Sequence, residues 1–108
     1  MIKKSVYSDL PESLPEEMIE TICRSQNLRI ERIVSQGHFS PPGFWYDQNE
    51  NEWIIILQGR AKIEFANEII EMKMGDYLEI PAHIKHRIKW TDPVQKTIWL
   101  AVFYNADS

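Results

Sequence analysis

The chain has 108 residues, which suits one domain and leaves little room for two. Apolar residues make up 44% of it, which excludes wholesale disorder, and twelve basic against sixteen acidic side chains give a formal net charge of -4, which argues against nucleic acid as a partner. Cys23 is the single cysteine and cannot form an internal disulfide, and no apolar run approaches the roughly 18 residues that span a bilayer. The expectation is a soluble cytoplasmic protein with no membrane partner.

In chain order, residues 1–17 are polar, with Pro11 and Pro15 in "LPESLPEE", and read as an arm. "EEMIETICRS" (16–25) places Met18, Ile19, Ile22 and Cys23 at helical spacing and predicts a short helix. A strand is its rival, because Ile19, Thr21 and Ile22 are β-branched. From residue 28 the pattern is β. "LRIERIV" is rich in β-branched residues and "SPPG" (40–43) is a turn. "WIIIL" (53–57) is a continuous apolar run, as expected of a strand buried on both faces. "RAKIEF" (60–65) alternates, and "IIEMKM", "YLEI", "HRIKW" and "TIWLAVFY" follow, separated by Gly, Pro, Asn and Asp turns. Strands recurring at about 8–12 residues predict an all-β sandwich or barrel. The organisation expected is an arm and short helix over 1–27, a barrel over 28–104 and a tail over 105–108.

The informative residues are polar ones on inward faces. Strict alternation in "HRIKW" puts His86, Ile88 and Trp90 together, an imidazole in an apolar wall. A buried, hydrogen-bonded core histidine is one reading and a ligand-binding histidine the other. Glu52 stands at the mouth of an apolar strand and must find a partner, either a basic side chain or a cation shared with His86. Asp76, next to Gly75, reads as a turn residue.

The run Glu52, six residues, Gly59, followed by Gly75, "DYLEI", Pro81, "AHIK" and His86, resembles the two motifs of the cupin family. The resemblance covers roughly 28–104. It implies an all-β double-stranded β-helix, or jelly-roll barrel. In metal-binding cupins a His-x-His pair precedes the glutamate. Here the two available registers give Tyr46 and Gln48, or Trp45 and Asp47, so two usual ligands are replaced. The resemblance implies a divalent metal (Mn, Fe, Zn or Ni) on Glu52 and His86, with Gln48 or Asp47 completing the shell. Tyr46 is then a proton carrier, and Trp90, Ile88 and His38 are ligand-binding. His83 stands where the second motif usually has glycine, in a turn that favours φ > 0. The implied function is a barrel that binds a small polar organic molecule, as a metal-dependent oxygenase, isomerase or lyase. The alternative is a metal-free, non-catalytic binding module. The outward apolar faces of "WIIIL" and "TIWLAVF" add the expectation of a homodimer.

Overall fold

The computed structural model describes residues 1–106. Eight strands follow in order: β1 (Met18–Arg24), β2 (Leu28–Ser35), β3 (Glu50–Gln58), β4 (Arg60–Phe65), β5 (Ile69–Lys73), β6 (Tyr77–Ile80), β7 (His86–Thr91) and β8 (Thr97–Asn105). They form a five-stranded sheet of order β1-β2-β8-β3-β6 and a three-stranded sheet of order β5-β4-β7. Every pairing is antiparallel, and the architecture is a jelly-roll barrel. Residue 105 belongs to β8, and residues 107–108 of the expected tail lie outside the described residues.

The short helix expected over 16–25 is a strand. β1 pairs with β2 from Met18↔Val34 to Arg24↔Arg29, with an irregularity between Thr21 and Cys23. The free edge of β2 offers seven residues a ladder, and Ile19, Thr21 and Ile22 fit a pleated surface better than a helix. Pairing with a distant partner thus overrides an apolar spacing that suited both states.

The core lies between the sheets. Ile54 and Ile56 of β3, Ala61 and Ile63 of β4, and Trp99, Ala101 and Phe103 of β8 are buried there with Met72 and Ile80. The outer face of β3 is only half-buried. Trp53 packs its ring 5.6 Å from Tyr77, and the Tyr7 hydroxyl donates to the Leu57 carbonyl at 3.3 Å. The polar arm crosses this outer side. Arg32, 5% exposed, donates from Nη1 to the carbonyls of Val6 (2.9 Å) and Ser8 (2.7 Å) and is ion-paired with Glu20. Lys96 reaches the Glu12 carbonyl at 3.3 Å. The arm is therefore tied down by backbone carbonyls and needs no secondary structure of its own.

One glycine fixes the turn between β3 and β4. Gly59 has φ +88°, and a Cβ there would lie 2.4 Å from Thr97 Oγ1 and 2.6 Å from Thr97 Cα. The backbone N–H of Arg60 donates to the same hydroxyl at 3.2 Å, which donates in turn to the Arg60 carbonyl at 3.1 Å. This locks the turn to the start of β8.

Candidate functional site

A cavity of about 150 Å³ opens inside the barrel between the two sheets. Isoleucines from both sheets form the apolar part of its wall, and polar groups enter it from β2, β3, β7, β8, the arm and the segment before β3.

His86 is the first residue of β7 and pairs with Phe65 across the three-stranded sheet. It is 4% exposed. Its Nδ1 lies 2.9 Å from the Ile84 carbonyl, an acceptor, so Nδ1 carries the proton. Nε2 is 3.4 Å from Oε1 of Glu52, which is 7% exposed on β3. A neutral ring with its proton on Nδ1 would face a carboxylate with a lone pair. A second proton on Nε2 turns that repulsion into an ion pair. Burial alone pushes the His86 pKa down, but the bond to Glu52, the bond to Ile84 and the Glu52 charge together outweigh it and raise it. Glu52 thus takes its buried partner from histidine rather than from lysine or arginine.

The segment before β3 is pinned to β7 by a two-residue bridge. The Tyr46 N–H donates to the His86 carbonyl at 2.7 Å, and the His86 N–H donates back at 3.2 Å. The extended backbone then alternates its side chains. Tyr46 and Gln48 line the cavity, while Trp45 lies 5.7 Å from the Arg87 guanidinium carbon. Asp47 is exposed and contacts His83 Nδ1 at 2.9 Å. Of the two registers, Tyr46 and Gln48 therefore occupy the inward places, and Asp47 is corrected to the outer surface. The Tyr46 ring stacks on His86 at 5.3 Å. Burial first, then the charges of Glu17 and Glu52, hold its hydroxyl above the ordinary value and hence protonated at neutral pH.

Trp90 is also corrected. Lys62 pairs with Trp90 but Ile63 with Ile88, so Lys89 is an extra residue in β7. This bulge shifts the alternation by one. His86 and Ile88 line the cavity, whereas Trp90 sits opposite Lys62, whose Nζ lies 5.5 Å from its ring. His38 lies in a neighbouring depression with Phe39, Ser40, Phe44 and Tyr46. Its Nδ1 accepts from the Gln36 N–H at 2.9 Å. His83 has φ +67° and Asp76 accepts from the Lys73 N–H at 2.9 Å, both in turns as their sequence settings indicate.

Four cavity-lining polar residues escape the sequence reading: Glu17, Arg29, Glu31 and Trp99. Arg29 donates from Nη1 to both carboxylate oxygens of Glu50 (2.6 and 2.7 Å) and from Nε to Glu31 (3.1 Å), with its guanidinium carbon 4.1 Å from the centre of the Phe103 ring. Glu17 accepts from the buried Ser35 hydroxyl at 3.1 Å. Burial raises its pKa, against the lowering effects of that bond and of His38. Arg29, Glu31 and Ile33 share one face of β2, a signal present in "LRIERIV" but hidden because alternating charges ordinarily mark a solvated face. Glu17 had no readable signal, since it depends on β1 being a strand.

An eight-stranded jelly roll with a cavity between its sheets and a buried His86–Glu52 pair defines a small barrel fold. The family model for the cupin domain matches residues 32–103, and the chain belongs to the cupin family. A protein from Ralstonia eutropha JMP134, provisionally named mannose-6-phosphate isomerase, shares 40% identity over 98% of this chain and 100% of its own, with a TM-score of 0.94. A cupin superfamily protein from Desulfitobacterium hafniense DCB-2 shares 20% identity over 89% of this chain and 84% of its own, with a TM-score of 0.74. The Cnp3 cupin domain of Schizosaccharomyces pombe shares 12% identity over 96% of this chain and 69% of its own, at 0.79. No curated protein matches.

The donor set bears on the metal that the family implies. Among the described residues no three His, Cys, Asp or Glu side chains converge to hold an ion. His86 and Glu52 are the strong donors that meet, Glu17 and Glu31 are bonded to Ser35 and Arg29, and Gln48 and Tyr46 replace imidazoles with weaker oxygen ligands. This set does not fit a resident first-row metal.

Proposed function

We propose that this protein is a cupin that binds a small, mostly apolar organic molecule and works without a resident metal, using His86 and Glu52 as a proton-transfer pair. The observation that carries this reading is the 3.4 Å contact between His86 Nε2 and Glu52 Oε1 at the wall of the interior cavity. The Ile84 carbonyl holds the ring in the tautomer that presents Nε2 to the cavity side. An imidazolium there can give a proton to a ligand oxygen, and the neighbouring carboxylate can take one from carbon. Tyr46, protonated and stacked on the ring, adds a hydroxyl donor.

Isomerisation of a hydroxy-carbonyl compound needs such a donor and acceptor, which agrees with the name given to the Ralstonia protein. Size limits the substrate. A cavity of about 150 Å³ takes a ligand on the scale of benzene, roughly six non-hydrogen atoms. A hexose phosphate is far larger and would have to project through the mouth, so the favoured ligand is a short ketone, aldehyde or hydroxy compound.

Two measurements test this reading. Elemental analysis of protein purified without a metal-chelating handle should find far less than one equivalent of metal per chain, and adding Mn²⁺, Fe²⁺, Zn²⁺ or Ni²⁺ should leave the melting temperature unchanged. Stoichiometric metal, or a rise of several degrees, would overturn the metal-free reading. Cyclopentanone in deuterated buffer should exchange the hydrogens beside its carbonyl faster with protein than without, and His86→Gln should abolish the excess. If the protein adds no exchange, the proton-transfer role is wrong.

A further inference from the structure

The depression beside the cavity has a chemistry of its own. It encloses about 410 Å³ and shares Glu17, Tyr46 and Ile88 with the cavity wall. Its aromatic lining is Phe39, 64% exposed, Phe44, 43% exposed, and Tyr46, whose ring meets Phe44 edge-on at 4.8 Å. The loop that carries Phe39 is pinned to β7. The Thr91 hydroxyl donates to the His38 carbonyl at 2.6 Å, the Ser40 N–H donates to the Ile88 carbonyl at 2.9 Å, and the Ser40 hydroxyl accepts from the Ile88 N–H at 3.0 Å. Arg87 braces the same loop through the Ser40 and Pro41 carbonyls (3.0 and 3.3 Å) and has Glu64 at 3.9 Å. Phe39 and Phe44 thus stand at fixed places outside the core. The charged lining is acidic: Glu16 and Glu17 belong to it, and no lysine or arginine does. Glu17 accepts from the Ser35 hydroxyl and makes no ion pair among the described residues. His38 is no fixed counter-ion, because its Nδ1 accepts from the Gln36 N–H and an imidazolium would break that bond. A half-buried carboxylate without a counter-charge costs stability, as the upward pull of burial on its pKa also records.

We infer that this depression is a binding site for a small organic cation, an alkylated ammonium whose charge pairs with Glu17 and whose methyl groups lie on Phe39, Phe44 and Tyr46. Aromatic faces attract a cation, and they do so best when it gives up its water easily, as a methylated ammonium does. A divalent metal ion holds its water and needs several oxygens in fixed geometry, which ring walls do not supply. An anion would meet two carboxylates. A neutral hydrocarbon would use the rings but leave Glu17 without a counter-charge. The residues shared with the cavity wall favour a free small molecule over a side chain of a partner protein. The site does not depend on proton transfer by His86 and Glu52.

The test is an NMR titration of the intact protein at neutral pH and constant ionic strength, following the backbone N–H signals. Choline is compared with the dimethylbutanol in which carbon replaces the ammonium nitrogen, an uncharged molecule of the same shape. Choline should move the Glu17, Phe39 and Phe44 signals in a saturable way and bind at least about tenfold more tightly than the alcohol. Glu17→Gln keeps an oxygen for the Ser35 hydroxyl and should remove most of that preference. Phe44→Leu should weaken choline about twofold to fivefold. Equal affinity for the two probes, no saturable movement of these signals, or full choline affinity in Glu17→Gln would each overturn the inference. Tighter binding of a peptide carrying trimethyl-lysine than of choline would overturn the small-molecule assignment. Metal content and deuterium exchange, on which the proposed function stands, are read separately and are not decided by this outcome.

Discussion

His86 and Glu52 depend on each other in a way that single changes expose. Removing His86 leaves a carboxylate 7% exposed without its counter-charge, so His86→Ala should cost about 3–5 kcal/mol at pH 6, read as a lower urea midpoint. Changing both residues, Glu52→Gln with His86→Gln, removes the charges together. The double variant should lose less than the sum of the two single losses, and strict additivity would show that the pair is not coupled. The pH dependence follows from the same contact. The folded-state His86 pKa lies above its ordinary 6.5, so its stabilisation is complete below about pH 6.5 and is lost as pH rises through the raised value. Glu17 acts with the same sign, since burial raises its pKa from 4.5 and folding favours its protonated form. The urea midpoint should therefore fall as pH rises above about 4.5 for Glu17 and again above about 6.5 for His86, and a profile that is flat or rising through both ranges would contradict both assignments. Glu17→Gln should raise the melting temperature by a few degrees at pH 7, because the amide keeps an oxygen for the Ser35 hydroxyl and removes a half-buried charge.

At the scale of elements, most strands were legible because their alternation and their Gly, Pro and Asn turns agree. Two places were not, for different reasons. Residues 16–25 carry an apolar spacing compatible with helix and strand, and only the free edge of β2 decides between them. In β7 the sequence "HRIKW" alternates without fault, yet the extra residue Lys89 turns Trp90 outward. A bulge depends on how two strands are matched, and one strand's sequence does not contain that. The site was legible to the same extent. Glu52 and His86 stand out by motif spacing and do meet, whereas the choice of Gln48 over Asp47 needed the Tyr46–His86 bridge. The Gly59 turn supplies a prediction at this scale. Gly59→Ala must adopt φ +88° with its Cβ 2.6 Å from Thr97 Cα, so it should cost more than about 3 kcal/mol or prevent folding. Gly43→Ala, at φ +79° with nothing within 4 Å of the added carbon, should cost about 1 kcal/mol. Equal losses in thermal melts would remove the close approach as the explanation.

For the whole molecule, the amino-terminal arm changes how the outer sheet face is understood. That face was expected to need a second subunit, and part of it is instead crossed by residues of the same chain. Val6 and Ser8 supply the carbonyls that accept from Nη1 of the buried Arg32 guanidinium. Deleting residues 1–9 should leave that charge with Glu20 as its remaining partner and cost about 2 kcal/mol, measured as a shift in urea midpoint with little change in slope. Unchanged stability would mean that water replaces those carbonyls freely.

The same arm, a few residues on, carries Glu17 into the cavity wall. Brace and binding wall are thus one continuous piece of chain. An affinity handle fused ahead of Met1, or a protease that trims the first residues, acts on a segment that ends inside the pocket. Preparations that differ only in their amino-terminal extension are therefore different samples for ligand screening, and an apparent lack of binding should be judged with the arm in its native setting.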